Sequence, residues 1–317
     1  MKRSLTLFAI LAIGALGIAQ VPSIGQVPLT DMVSPQTYMG LAGGLYGGYS
    51  NVRPPFWDAA VFNEAAFIQP RDASGVPSKA GVIGFCSIGM SNTFQEWNVF
   101  TPLAQTSGLM DPYVTLVNGA QGGKDLYDWG TGNDPTVYPT LASSVSLAGL
   151  TNQQVQVVWI KHSLRQPAQY GPWAGAGKEY MKDMRRVLQK LRAMFPNLRV
   201  AYISTRIYAG WATVNLSPEP YAYEQPFFLR RLIQLQMSGD PTLNWNAAAG
   251  PIKCPIICWG PYMWADGVNP RSDGLQWFQT DFLATDGTHP SPSGRNKVAN
   301  LMLKFFAYDS TCGWFQP

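Results

Sequence analysis

Histidine is almost missing from this chain: two residues in 317, His162 and His289. Charge is sparse as well, with 13% Asp, Glu, Lys and Arg and a net surplus of only +4. So small a surplus gives no electrostatic footprint for a nucleic-acid partner. The four cysteines, Cys86, Cys254, Cys258 and Cys312, do not cluster with histidine at metal-ligand spacing, and no glycine loop reads as a phosphate cradle. Neither a metal nor an organic cofactor is therefore expected. Beyond the start of the chain no apolar run reads as a membrane helix. The strict Gly-x-Ser-x-Gly turn of α/β-hydrolases is absent, because Thr93 stands where its second glycine would be.

What is present begins at the N-terminus. Lys2 and Arg3, an apolar core from Leu5 to Leu16 and the small residues of Gly17-Ile18-Ala19 read as a secretory signal over residues 1–19. The core is too short to span a bilayer comfortably, and no cysteine follows closely enough for a lipid anchor. The expectation is an exported protein, secreted or periplasmic, with no membrane contact once the signal is removed. Losing Lys2 and Arg3 takes the formal charge from +4 to +2. Export permits disulfides. Cys86, inside an apolar run, reads as a free buried thiol. Cys254 and Cys258 on one extended strand would lie about 13 Å apart, too far to bond. A bridge from Cys312 to either of them stays open.

Residues 20–78 are rich in Pro, Gly, Ala and aromatics with weak periodicity. They read as an extended arm or cap whose apolar pieces, such as Ala59 to Ile68, pack on the main body. Residues 79–317 read as one domain. Continuous apolar runs at Val82–Ile88, Tyr113–Asn118, Val155–Ile160, Leu198–Ser204 and Pro255–Gly260 predict parallel strands covered on both faces. Amphipathic or bounded segments predict helices over Phe94–Leu103, Lys178–Phe195, Tyr221–Met237 and Pro292–Tyr308. This alternation predicts a three-layer α/β/α sandwich with a five-stranded, mostly parallel sheet, flavodoxin-like in type. In such folds ligands bind at the carboxyl ends of the strands. Eleven tryptophans are present. Trp211, Trp259, Trp264, Trp277 and Tyr262 fall near strand ends or in late loops, where aromatics either line a pocket or pack loops onto the core.

Candidate chemistry starts from the scarce histidine. Asp286-Gly287-Thr288-His289 sets a carboxylate three residues before a His in a tight turn. That spacing can hold Nδ1 and leave Nε2 as a base. Ser291-Pro292 after it reads as a helix cap, so the segment also fits a plain turn before a helix. Ser91 follows the apolar run Gly81–Gly89 and precedes an amphipathic stretch, the place for a nucleophile at a strand-to-helix turn. Ser, Asn and Thr there also suit a helix cap. Ser87 competes but sits inside the apolar run.

These segments together resemble the SGNH (GDSL-type) hydrolase superfamily. Gly89-Met90-Ser91-Asn92-Thr93 is similar to its first block, Gly-Asp-Ser-x-Thr, with Met90 in place of Asp. Asn118 to Gly123 is similar to the second, Asn-x-x-x-x-Gly, and Asp286-x-x-His289 matches the last. The likeness spans roughly residues 79–310. It implies a serine esterase with Ser91, Asp286 and His289 as catalytic residues and the N–H groups of Ser91 and Gly123 as the oxyanion hole. It also implies an acyl-enzyme and a small-molecule or glycan ester as substrate, with an acetyl or other short acyl group. The third block, Gly-x-Asn-Asp, is not matched. After Val155–Ile160 the chain reads Lys161-His162-Ser163-Leu164, without the Asn whose loss costs about two to three orders of magnitude in rate. Lys161 and His162 are the nearest substitutes, each also readable as a strand end. Asn92 and Arg206 are further candidates for substrate or oxyanion contact. Met90, the missing Asn and the aromatic loops keep a second reading open, a non-catalytic exported glycan-binding protein on a degenerate scaffold. A third, a substrate-binding protein of a transport system, would require two similar α/β lobes.

Overall fold

The computed structural model describes residues 20–317, so the signal read over residues 1–19 lies outside the described residues. Five strands form one parallel sheet: β1 (Ile83–Gly89), β2 (Val114–Asn118), β3 (Val155–Lys161), β4 (Val200–Ser204) and β5 (Ile256–Trp259). Their order is β2-β1-β3-β4-β5, the doubly wound arrangement with its reversal at β1. Every residue of β1, β3, β4 and β5 is buried, which is why these strands lack the alternation of a half-exposed sheet.

Helices α1 (Pro55–Ala65), α2 (Ser91–Thr106), α3 (Leu126–Thr131), α4 (Val137–Leu147), α5 (Trp173–Met194), α6 (Tyr221–Met237) and α7 (Pro292–Tyr308) supply the outer layers. On one side α2 packs on α7; on the other α5 packs on α3 and α6. Phe85 of β1 shows how the first interface closes. Its ring meets Trp97 of α2 at 4.9 Å and Phe306 of α7 at 4.8 Å, both edge-on. The architecture is the expected three-layer sandwich. Among the described residues the only other sheet is a two-stranded hairpin, Thr37–Tyr38 with Leu41–Ala42, and no second α/β lobe occurs among them.

Differences from the sequence expectation have local causes. Helix α5 begins at Trp173, five residues before the expected start. Its first turn is held by tertiary contact, the Trp173 ring lying 4.4 Å from Phe228 and 5.4 Å from Tyr38. Helix α2 starts at Ser91 itself, with Met90 as its cap residue. Ser291 caps α7, accepting from the Gly294 N–H as the Ser-Pro pair implied. All four cysteines are free and buried, which corrects the open bridge from Cys312. Cys254 instead donates its thiol to the Leu243 carbonyl.

Residues 20–78 are packed into the body. Leu29, Met32, Trp57, Val61 and Ile68 belong to the same core as the sheet. The Leu29 N–H donates to the Tyr262 hydroxyl, and Arg230 of α6 donates to the carbonyls of Ala42, Gly43 and Gly44. The late-loop aromatics resolve the same way. Trp211, Trp259, Trp264, Trp277 and Tyr262 are all buried. Their polar atoms are used internally, as where Trp211 Nε1 donates to the Trp277 carbonyl and Trp264 Nε1 to Glu219. They hold loops onto the core and offer no stacking surface.

Candidate active site

The site forms at the carboxyl edge of the sheet, beside the strand where the order reverses. Gly89 ends β1, Met90 is extended, and Ser91 is the first residue of α2. A serine there has its hydroxyl at the sheet edge and its own N–H among the free donors of a helix start. Ser87, by contrast, is fully buried and bonds Asn118 at 3.0 Å.

The turn before α7 delivers the other two groups. Gly287 is the residue that allows it. Its φ is +59°, and a Cβ there would lie 1.8 Å from the Trp211 carbonyl. The turn folds so that Asp286 Oδ1 accepts from the N–H groups of Thr288 and His289, at 2.8 and 2.9 Å. Oδ2 then meets His289 Nδ1 at 2.6 Å, and His289 Nε2 meets Ser91 Oγ at 2.7 Å. Desolvation pushes the Asp286 carboxyl up, but the two backbone donors and the imidazole outweigh it and hold the group below its usual range. An ionised carboxylate only accepts, so Nδ1 carries the proton and Nε2 accepts from the serine.

Asn92, one residue after the serine, donates from Nδ2 to the Thr288 carbonyl at 3.0 Å. It ties the first turn of α2 to the histidine turn. One of its two amide hydrogens is used in this bond.

Opposite the histidine, the loop after β2 comes over Ser91. Its Gln121 N–H donates to the Gly89 carbonyl at 2.9 Å. Gly122 sits above the serine, so that a Cβ built on it would be 3.9 Å from Ser91 Cβ. Gly123 follows with φ +74°, a conformation that favours glycine. Among the described residues, neither the Ser91 N–H nor the Gly123 N–H has a protein acceptor.

The strand-end residues after β3 and β4 are arranged differently. Lys161 Nζ is buried against Glu96 of α2, 2.6 and 2.8 Å from its two oxygens. Burial pushes Glu96 up and Lys161 down, each toward its neutral form, and their mutual attraction opposes this. The ammonium is spent on Glu96, while the Lys161 carbonyl accepts from Thr93 at 2.6 Å. His162 is buried edge-on to Trp129, its Nδ1 accepting from the Ser163 N–H at 3.1 Å. Burial pushes its pKa down to about 3, so this imidazole is neutral at ordinary pH. Arg206 lies just beyond β4 and is 6% exposed. Among the described residues no group accepts from its Nε or Nη2. Burial pushes the guanidinium pKa down, against the fields of Glu219, Glu96 and Asp286.

Next to the serine opens a cavity of about 520 Å³. Phe94, Gln95, Gln121, Gly122, Thr136, Thr140 and Ser144 are among its walls. Sequence reasoning reached Ser91 and the Asn118–Gly123 loop of this wall but not Phe94, Gln95 or the α4 hydroxyls. Phe94 stands three residues after Ser91 on the same helix and was the one available signal. The hydroxyls come from α4, a helix the apolar pattern did not announce.

The chain matches no protein-family model and no curated protein. Among solved structures it is similar to a protein of Streptococcus pneumonia described as a platelet activating factor, with a TM-score of 0.37 and 12% identity over 80% of this chain and 92% of that one. It is also similar to a protein of Arabidopsis thaliana, with a TM-score of 0.34 and 14% identity over 66% of each chain.

Proposed function

We propose that the protein is an exported serine esterase of the SGNH type, hydrolysing a carboxylic ester through an acyl-enzyme. The observation that carries this reading is the continuous chain from Ser91 Oγ through His289 to Asp286, with links of 2.7 and 2.6 Å. In the first step Ser91 Oγ attacks the ester carbonyl carbon while His289 Nε2 takes the hydroxyl proton. Asp286 holds the imidazole in its Nδ1–H tautomer and balances the imidazolium that forms. The carbonyl oxygen, now negative, accepts from the free N–H groups of Ser91 and Gly123 at the positive end of α2. The tetrahedral intermediate collapses with release of the alcohol, which leaves with the proton from Nε2. Water then attacks the acyl-serine, giving its proton to Nε2, and the acid departs as Ser91 recovers its own.

With Lys161 committed to Glu96, the oxyanion is served by two backbone donors. The transition state is correspondingly less stabilised than in an enzyme with a third. The aromatic residues that motivated a glycan-binding reading are buried, and nothing in the site favours that reading over turnover. Replacing Ser91 by Ala should lower ester cleavage by roughly 10⁴-fold or more with an unchanged thermal melt. Retained turnover would overturn the assignment.

A further inference from the structure

We propose that the cavity beside Ser91 is the acyl subsite, built for a hydroxylated aromatic acid rather than for acetyl; this rests on the esterase reading above. The side of the serine decides which half of an ester lies here. His289 must face the departing alcohol to protonate it, so the alcohol lies on the histidine side of Ser91. The cavity walls include Ser91 and Gly122 but not His289. A group reaching it from the acyl carbon passes the oxyanion loop, away from the imidazole.

Size comes next. An acetyl methyl is comparable to one water, about 30 Å³. It would leave most of the roughly 520 Å³ to solvent. A phenolic acyl group fits a space of this order, which lies in the range of small-molecule sites.

Chemistry narrows the class. Phe94 is 43% exposed and gives one wall a ring face for stacking. Thr136, Thr140 and Ser144 recur every fourth residue, so α4 turns a row of hydroxyls to the cavity. Two of them are already engaged, Thr136 Oγ1 with Asp134 and Ser144 Oγ with the Thr140 carbonyl. The Thr140 side chain is exposed on α4, and among the described residues its hydroxyl has no hydrogen-bond partner. A phenolic hydroxyl can donate to the Thr140 hydroxyl or accept from it. The one cation on the wall, Lys124, is paired with Asp134. A second carboxylate on the acid would therefore find no free counter-charge, which favours a neutral ring.

The test uses 4-nitrophenyl esters of acetic, butanoic and 4-hydroxycinnamic acids, each kcat/KM divided by the rate of the same ester with hydroxide. The normalised value should be highest for the hydroxycinnamate. Thr140→Val and Phe94→Ala should each lower the hydroxycinnamate-to-acetate ratio about tenfold. A ratio below one in the native protein, or variants that lower both esters in parallel, would overturn the subsite. Fluorophosphonate labelling of Ser91 separates the two failures. A labelled serine with no acyl preference sinks the subsite alone, whereas no label and no turnover of any ester sinks the esterase reading with it.

Discussion

Replacing Asp286 by Asn exchanges one oxygen for an NH2 group and isolates what the carboxylate does. The wild-type side chain accepts three N–H bonds: two backbone bonds on Oδ1 and the imidazole on Oδ2. The Asn oxygen can keep both backbone bonds, so the turn around Gly287 stands. Its NH2 then faces Nδ1, and two donors cannot share a hydrogen bond. The imidazole must move its proton to Nε2, where it points at Ser91 and can no longer receive the serine proton. A wrong tautomer of this kind costs about 10⁴ in kcat, or roughly 5.4 kcal/mol of barrier. The assay is hydrolysis of 4-nitrophenyl acetate at pH 8, with a thermal melt of each protein beside it. A melt within a few degrees and a 10⁴-fold loss is the expected pair of results. An unchanged melt with kcat/KM within tenfold of wild type would refute the argument that Asp286 sets the tautomer.

Other perturbations separate structural from catalytic roles. Lys161→Met leaves Glu96 buried without its partner and should cost about 3–5 kcal/mol in urea denaturation, while adding Glu96→Leu should restore most of it. Additive losses in the double variant would contradict a direct coupling. His162 bears on acid stability: its folded pKa of about 3 lies below the ordinary 6.5, so the unfolded chain binds the extra proton. Its contribution is full above pH 6.5 and is lost as pH falls toward 3, by up to about 1.4 kcal/mol per pH unit. His162→Gln should flatten that dependence and leave the acid limb of the rate profile in place; a displaced limb would put His162 in the reaction. Gly123→Ala forces a side chain into the left-handed region at about 1–2 kcal/mol and should lower kcat about tenfold with little change in KM. Full activity would remove this N–H from the oxyanion site.

The parts legible in the sequence were those whose physics is local. Strands buried on both faces must be continuously apolar, so all five could be read within about two residues at each end. Helices α6 and α7 could be bounded because proline and turn residues mark their starts. That Ser91, Asp286 and His289 would meet was legible because the histidine is scarce and the Asp-Gly-Thr-His turn carries its own geometry. What remained hidden depends on distant partners. The pairing of Lys161 with Glu96 joins positions 65 residues apart with no spacing rule between them. Helix α4 buries only Val137, Leu141 and Val145, one residue per turn in a serine-rich stretch, too faint a stripe to read. Residues 20–78 show weak periodicity because their order comes from contacts with loops and helices far along the chain. The aromatic loops illustrate the same limit, since composition alone could not say whether each ring faced solvent or core.

The most direct test of the account is covalent labelling of the purified protein with a fluorophosphonate, located by peptide mass spectrometry. An adduct on Ser91, lost in Ser91→Ala and strongly slowed in Asp286→Asn, is the predicted result. A well-folded protein that takes no adduct on Ser91 would contradict the claim that this serine is an activated nucleophile.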